Sequence, residues 1–314
     1  MVIICQNINQ SKRWKSGFKY ADDLITNENC YNKLIDENPD IIILTEVTYP
    51  KNIEKALDSF SCYFNSDKYM PWNRWDENTE KYVKDNFLCN KIFIAIKEQL
   101  FSEISDIKID DSNNDINHMD YLKISFNYKN ERWSVIGLRL YHEYKRETND
   151  IHNHIIESIL KQNLGTKTII TGDFNNGFIA EEIGNYPNYK FNIHTLKRLC
   201  NMKFHYREPQ YKLVTVSSLN VDDAEPIDVC NYDSNEWTHQ LKNDKGGYLR
   251  RPIDHFIVSR NIKETEYQLI KDIDGVDKIS DLFYYYDLNE NKYKDGGFKS
   301  GLPDHRIIKL TIKE

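Results

Sequence analysis

The chain has 314 residues, 39% of them hydrophobic and 29% charged, which is enough to bury a sizeable core. Its 42 lysines and arginines against 49 aspartates and glutamates leave a formal net charge of −7, which argues against a tight non-catalytic DNA binder. No apolar run approaches the length of a bilayer span. The six cysteines include no C-x-x-C pair, which argues against a zinc knuckle or disulfide scaffold and points to a reducing, cytoplasmic setting.

The opening Met1-Val2-Ile3-Ile4-Cys5-Gln6-Asn7 has the profile of a strand rather than a signal peptide, with Asn7 and Asn9 near its C-terminal end. Ser11-Lys12-Arg13-Trp14-Lys15 is a basic loop broken by an aromatic: it can hold phosphates and stack a base, or be a solvated loop anchored by one Trp. Thr26 suits the N-cap of a helix with Cys30, Leu34 and Ile35 on one face, broken at Asn38-Pro39-Asp40. Ile41-Ile42-Ile43-Leu44 then reads as a fully buried strand that runs into Thr45-Glu46. An acid placed there is costly without a partner, so Glu46 is a metal ligand or emerges into solvent.

Pro50 starts a helix that turns Ile53, Ala56, Leu57 and Phe60 inward, and a strand follows over 61–64. Met70-Pro71-Trp72-Asn73-Arg74-Trp75 reads as a loop whose aromatics form a substrate wall or pack beneath it. Ile92 to Ile96 is a strand, and polar Lys97 to Asn117 reads as a surface excursion. Tyr121 to Tyr128 and Trp133 to Leu140 alternate about Lys129-Asn130-Glu131, a hairpin signal that leaves Arg139 and Tyr141 on one face at the end. Thr148 to Leu164 is a helix in the register of Ile151, Ile155 and Ile159, stopped by Gly165. His152 and His154 point apart on it, too far round to chelate, and read as surface histidines.

Thr168-Ile169-Ile170-Thr171 is a buried strand that empties into Gly172-Asp173-Phe174-Asn175-Asn176-Gly177. Asp173 and Asn175, two apart, project from one face of extended backbone as carboxylate and carboxamide. That pair can hold a water, a metal or a phosphate oxygen, or simply form an Asx-rich turn. A short helix spans Leu196 to Met202, and 203–250 holds few long periodic runs. Arg250-Arg251 then precedes a strand that opens on Asp254, and Asp304-His305 precedes a last strand from Arg306 to Ile312. There is no internal repeat of fixed period.

Asn7, Glu46, Asp173, Asn175, Asp254 and Asp304-His305 thus each lie beside an apolar strand rather than in a polar linker. Carboxylates suit a hard cation, a carboxylate-oriented histidine suits a base, and amides bind phosphate without adding charge. These are the ingredients of metal-assisted phosphoester hydrolysis.

In order and wording, Cys5-Gln6-Asn7-Ile8-Asn9, Pro39-Asp40-Ile41-Ile42-Ile43-Leu44-Thr45-Glu46, Gly172-Asp173-Phe174-Asn175, Ile253-Asp254-His255-Phe256-Ile257-Val258-Ser259 and Pro303-Asp304-His305 resemble the endonuclease/exonuclease/phosphatase superfamily. This family includes AP endonucleases, DNase I, sphingomyelinases and inositol polyphosphate 5-phosphatases. The resemblance spans nearly the whole chain and implies a single catalytic domain, 1–314. Its fold would be an α/β, four-layer α/β/β/α sandwich of two mostly antiparallel sheets with helices outside.

The resemblance also implies roles. Glu46 would be the main metal ligand, with Asn9 beside it where many members carry an aspartate, and Asp304 in support. The cofactor would be Mg²⁺ or Mn²⁺, one or two ions, with Asn9 weakening a second site. Asp173 and Asn175 would position water and phosphate, and His305, oriented by Asp254, would act as base or phosphate contact. Asn7, Arg139 and Tyr141 would meet the phosphate, although relatives carry His or Tyr where Arg139 stands. Lys12, Arg13, Trp14, Trp72, Arg74, Trp75, Arg250 and Arg251 would flank a strand of DNA or RNA. A monomeric nuclease that needs no membrane is the leading expectation. A phosphatase or phosphodiesterase for a nucleotide or inositol phosphate is the alternative, and an inactive binding protein of the same fold is the third.

Overall fold

A computed structural model describes residues 1–8, 34–47, 50–67, 69–76, 81–88, 91–111, 119–141, 146–175, 193–215, 238–242, 248–251, 253–270, 282–287, 292–298 and 305–313. In chain order the elements begin with β1 (Val2–Asn7), β2 (Ile41–Val47), α1 (Pro50–Ala56), β3 (Phe60–Phe64), β4 (Tyr69–Asp76), β5 (Lys81–Leu88) and β6 (Lys91–Lys97). There follow α2 (Glu98–Phe101), β7 (Ser105–Asp110), β8 (Met119–Tyr128), β9 (Glu131–Leu140), α3 (Arg146–Gln162), β10 (Lys167–Asp173), α4 (Ile193–Cys200) and β11 (Tyr211–Val214). The chain ends with β12 (His239–Lys242), β13 (Tyr248–Arg251), β14 (Asp254–Ser259), β15 (Thr265–Ile270), β16 (Leu282–Asp287), β17 (Lys292–Phe298) and β18 (Ile307–Ile312).

Two six-stranded sheets carry the architecture, ordered β15-β18-β1-β2-β6-β3 and β11-β14-β10-β9-β8-β7. Each is antiparallel except for one parallel pair, β1 with β2 and β9 with β10. β2 and β10, each a member of a parallel pair, are buried along their whole length, because such strands are covered on both faces.

Three cores separate four layers. Alternate residues Ile3, Cys5, Ile41, Ile43, Ile92 and Ile94 of the first sheet meet Leu122, Ile124, Val135, Ile169, Phe256 and Val258 of the second. The outer face of the first sheet, with Ile4, Ile42, Leu44 and Phe93, is covered by Leu34, Ile53 and Leu57. The outer face of the second, with Ile136, Leu138, Ile170 and Ile257, is covered by Ile155, Ile156 and Ile159 of α3 and Leu196 and Leu199 of α4. The expected α/β/β/α sandwich is therefore present. Among the described residues no helix is long and apolar enough to cross a membrane.

Several local expectations are corrected. Trp72, Arg74 and Trp75 lie on a strand, not a loop, with β4 pairing β5 in the register Trp72↔Asp85, Arg74↔Val83 and Trp75↔Tyr82. Pro71 is tolerated because each strand of a two-stranded ribbon has a free edge. The stretch expected as an excursion includes α2 and β7, and β7 is polar because it is an edge strand of the second sheet. Phe60 opens β3 instead of closing a helix. His152 is fully buried rather than at the surface: it shares the i, i+3, i+4, i+7 stripe with Ile155, Ile156 and Ile159. The helix proposed from Thr26 falls mostly outside the described residues, as do Asn9, Lys12, Arg13, Trp14 and Asp304.

Candidate active site

Hairpin and sheet register build the site before any side chain is considered. Lys129 and Asn130 both have positive φ, 49° and 60°, the geometry of a two-residue hairpin turn that suits the twist of β8 and β9. Counting back from that turn sets Asp120 opposite Arg139. The parallel pairing of β9 and β10 sets Arg139 opposite Asp173, and the antiparallel pairing of β10 and β14 sets Asp173 opposite Asp254. Four charged residues, Asp120, Arg139, Asp173 and Asp254, therefore form one transverse row across four strands. Their parity is that of Leu122, Val135, Ile169 and Phe256, so the row is the terminal rung of the face packed against the other sheet.

The opposing sheet closes over this rung. Asn7, at the end of β1, donates from Nδ2 to Asp173 Oδ2 at 3.0 Å. Glu46 reaches it through a backbone irregularity. Strict alternation after Ile41 and Ile43 would turn residue 46 away from the interior. The β2–β6 register shifts between Leu44 and Val47, and Glu46 adopts φ +57°. This bulge re-aims the side chain, and the Glu46 carboxylate pairs with the Arg139 guanidinium from the other sheet. Arg139 Nη1 also lies 3.6 Å from Asp120 Oδ2, and Tyr141 donates its hydroxyl to Asp120 Oδ1. The guanidinium carbon sits 5.6 Å from the Tyr141 ring centroid.

Asp173 is held from three sides. Its carboxylate accepts from Asn7 Nδ2, from the Asn175 backbone N–H at 2.9 Å and from Asn175 Nδ2 at 3.2 Å. Asn175, at φ +46°, also donates to the Leu140 carbonyl at 2.6 Å, which ties the turn to the end of β9. Burial and then the facing Asp254 push the Asp173 carboxyl up to about 7, while His305 and Arg139 pull the other way. Beneath it, burial chiefly, with Asp254 and Asp173, raises the Cys5 thiol well above its ordinary value, so that sulfur stays protonated and inert.

His305, 4% exposed, brings Nδ1 to 2.8 Å from Asp254 Oδ2. With Nδ1–H donated to a carboxylate, the ring works through Nε2. Asp254 Oδ1 is buried with no hydrogen-bond partner among the described residues. Thr238 organises this corner: its hydroxyl accepts from Ile253 N at 2.9 Å and Asp254 N at 3.1 Å, and its carbonyl accepts from Arg306 N at 2.7 Å. Gln6 Nε2 adds a bond to the His305 carbonyl at 2.9 Å.

The structure thus brings together Asn7, Glu46, Arg139, Tyr141, Asp173, Asn175, Asp254 and His305 from six separate sequence stretches. Arg250 and Arg251 fall on β13, paired with Gln240 and His239 of β12. Two contributors escaped the sequence reading. Asp120 carried a usable signal, an acid at an inward position of the alternation Asp120, Leu122, Ile124, Phe126. Thr238, in a stretch without periodicity, carried none.

Among the described residues no three carboxylate, imidazole or thiol groups form a ready cluster of metal ligands. The chemistry of the donor set nonetheless fits a hard cation. Four carboxylates, of Glu46, Asp120, Asp173 and Asp254, share the site with one guanidinium and one imidazole. The surplus is negative charge on oxygen, and Asp254 Oδ1 has no hydrogen-bond partner among the described residues.

No family model and no curated protein matches the sequence. Solved structures do match. D. rerio TDP2 complexed with single strand DNA product superposes with a TM-score of 0.54 at 12% identity, covering 99% of this chain and 98% of that one. Truncated Caenorhabditis elegans TDP2 gives 0.51 at 13%, covering 98% and 96%. A Bacteroides thetaiotaomicron mannosyl-6-phosphatase gives 0.50 at 12%, covering 99% and 98%. At such identities the likeness establishes architecture alone.

Proposed function

We propose that this chain, which has the endonuclease/exonuclease/phosphatase superfamily fold, is a metal-dependent phosphoesterase, and specifically a nuclease that hydrolyses nucleic-acid phosphodiesters. The observation that carries the reading is the buried His305–Asp254 pair, on the same rung as an Asp173 whose proton affinity is tuned to neutral pH. A buried pair of facing carboxylates destabilises the sandwich, which sets this rung apart from the apolar rungs beside it.

In this reading Glu46 would hold Mg²⁺ or Mn²⁺, with Asn9 and Asp304 as the remaining ligands. A cation so held would polarise a phosphate oxygen and neutralise charge that develops on it. Asp173, kept in place by Asn7 and Asn175, takes a proton from the attacking water. The water oxygen forms the new bond to phosphorus as the bond to the leaving oxygen breaks. His305, protonated and steadied by Asp254, binds a non-bridging oxygen through Nε2 or gives that proton to the leaving oxygen. A base with a pKa near the working pH is the efficient choice for such a transfer. The chain would act as one catalytic domain. Arg250 and Arg251, with the Trp72–Trp75 strand, would track the polymer.

The likeness to a TDP2 bound to single strand DNA product supports a nucleic-acid substrate. A second reading, a phosphatase for a small phosphorylated molecule, draws on the net charge of −7 and the likeness to a mannosyl-6-phosphatase. A panel of single- and double-stranded DNA, RNA, nucleotides and sugar or inositol phosphates, assayed with Mg²⁺ and with Mn²⁺ against a Glu46→Ala blank, decides between them. Cleavage of nucleic acid that the blank lacks supports the first. Phosphate release from small compounds alone replaces it with the second, and inactivity on all of them overturns both.

A further inference from the structure

The sequence suggests Arg139 as a phosphate grip, but its guanidinium is already engaged. It pairs with Glu46 and lies 3.6 Å from Asp120, and the three side chains are only 16%, 9% and 1% exposed. Resting on the reading that Glu46 is the principal metal ligand, we propose that Arg139 is a resident counter-cation that holds Glu46 in place and competes with the divalent cation for it.

Three observations lead there. First, Glu46 sits in the left-handed region at φ +57°, which a glutamate adopts only when something over-determines it. The bulge in β2 delivers the carboxylate and Arg139 receives it, so the pair stabilises an otherwise unfavourable backbone. Second, a guanidinium never gives up its charge in a protein, so its neutralisation of Glu46 is permanent until a stronger cation displaces it. Third, Arg139 is anchored at two further points that do not involve Glu46, Asp120 and the Tyr141 ring. It can therefore release Glu46 without being left as a buried charge alone.

The consequence is an acidic rung that is folded and compensated without metal, at the cost of affinity for it. A dication seated on Glu46 meets a fixed positive charge a few ångströms away. Removing that charge should tighten metal binding, the reverse of what a metal-supporting residue would do. A phosphate grip would behave differently again: its loss would weaken inorganic phosphate as an inhibitor and leave metal binding unchanged.

The test is Mn²⁺ titration of the full chain, by calorimetry and by the paramagnetic signal of the ion, for wild type, Arg139→Gln and Arg139→Lys. Arg139→Gln is expected to bind Mn²⁺ at least about tenfold more tightly, since the repulsion of like charges a few ångströms apart is worth more than that even at an effective dielectric of about 20. Arg139→Lys, which keeps the charge, should stay within about threefold of wild type by the same reasoning. The Gln variant should also melt lower than wild type in chelator and gain more on adding Mn²⁺. Equal or weaker Mn²⁺ binding by a folded Arg139→Gln overturns the proposal.

Should Arg139→Gln fail to fold, nitrogen-detected NMR of the arginine side chains in wild type, assigned with Arg139→Lys, takes its place. The Arg139 guanidinium resonances must then move along the Mg²⁺ isotherm, and resonances that do not move overturn the proposal. Turnover with Mg²⁺ alongside unchanged affinity in the Gln variant defeats this inference alone. A wild type that neither binds metal nor turns over any phosphoester defeats the underlying reading as well.

Discussion

Asp173 and Asp254 stand directly opposite each other on antiparallel neighbours β10 and β14, at 2% and 1% exposure. Like charges so placed repel, and burial adds to the cost of ionising Asp173. The sheet could avoid this by replacing one with any small polar residue. That it does not is the strongest internal sign that this rung serves chemistry rather than stability.

The pair makes folding stability depend on pH in a defined direction. Burial and Asp254 raise the Asp173 carboxyl from an unfolded value of 3.8 to about 7 in the folded protein. Its contribution to stability is therefore fully present below pH 3.8. It is lost as pH rises toward 7 and is flat above that, because the unfolded chain gives up the proton first. In chelator, the gap in melting temperature between Asp173→Asn and wild type should drift in favour of the variant across that window, then level off. Both proteins share every other titrating group, so a gap that does not change with pH would refute the assignment.

Two glycines set how closely the backbones around the rung approach. Gly172, at φ +144°, precedes Asp173, and a Cβ there would sit 1.8 Å from the Leu138 carbonyl oxygen. Backbone cannot move aside, so Gly172→Ala should cost more than about 3 kcal/mol or abolish folding. Gly137, on the inter-sheet face one step before Arg139, would place a Cβ 2.5 Å from Ile92 Cγ2 and 3.0 Å from Ile43 Cγ2. Those are side-chain atoms that can shift, and Gly137→Ala should cost about 1–3 kcal/mol. Thermal melts in chelator read both.

Much of this was legible in the sequence because buried strands advertise themselves. The runs that became β1, β2, β10 and β14 each carry an apolar stretch, Ile3-Ile4, Ile41-Ile42-Ile43-Leu44, Ile169-Ile170 and Phe256-Ile257-Val258, and the polar groups at their ends stand out against it. What stayed hidden needed register or tertiary contact. Asp120 belongs to the site only through its distance from the hairpin turn. Nothing in Thr45-Glu46 signals a left-handed residue, since glutamate is a poor candidate for one. Strand alternation sets Arg139 and Tyr141 on one face but says nothing of their partners, because Glu46 arrives from the other sheet. His152 looks like a surface residue when weighed against His154 alone, yet the stripe it shares with Ile155, Ile156 and Ile159 buries it.

If the substrate is a nucleic acid, the β12–β13 ribbon should matter to polymers and not to small esters. Arg250 and Arg251 are consecutive on β13, and consecutive positions of a strand belong to opposite faces of the ribbon. Arg250→Glu and Arg251→Glu should therefore differ. One should raise KM for single-stranded DNA several-fold and reduce the salt dependence of kcat/KM by about one ion, while leaving hydrolysis of a small aryl phosphodiester unchanged. Equal, negligible effects from both would remove this ribbon from the binding surface.

The last prediction concerns Asp254, whose two oxygens do different things. Oδ2 holds His305 Nδ1, and Oδ1 is buried without a hydrogen-bond partner among the described residues. Asp254→Asn should weaken the orientation of the imidazole and its positive charge, and so lower kcat by about 10²–10⁴, with His305→Ala at least as severe. KM should change less than kcat, because the contact of His305 with a phosphate oxygen counts most once charge develops on that oxygen. The same substitution removes the charge that faces Asp173, so the acid limb of the pH–rate profile should move to lower pH in whatever activity survives. It also removes a buried carboxylate beside another, so the variant should melt no lower than wild type above pH 7. A variant that is slower, no less stable and shifted toward acid is the signature of a strained catalytic pair. A slower variant that also melts much lower, with an unmoved profile, would mean that Asp254 is structural and that the rung has been misread.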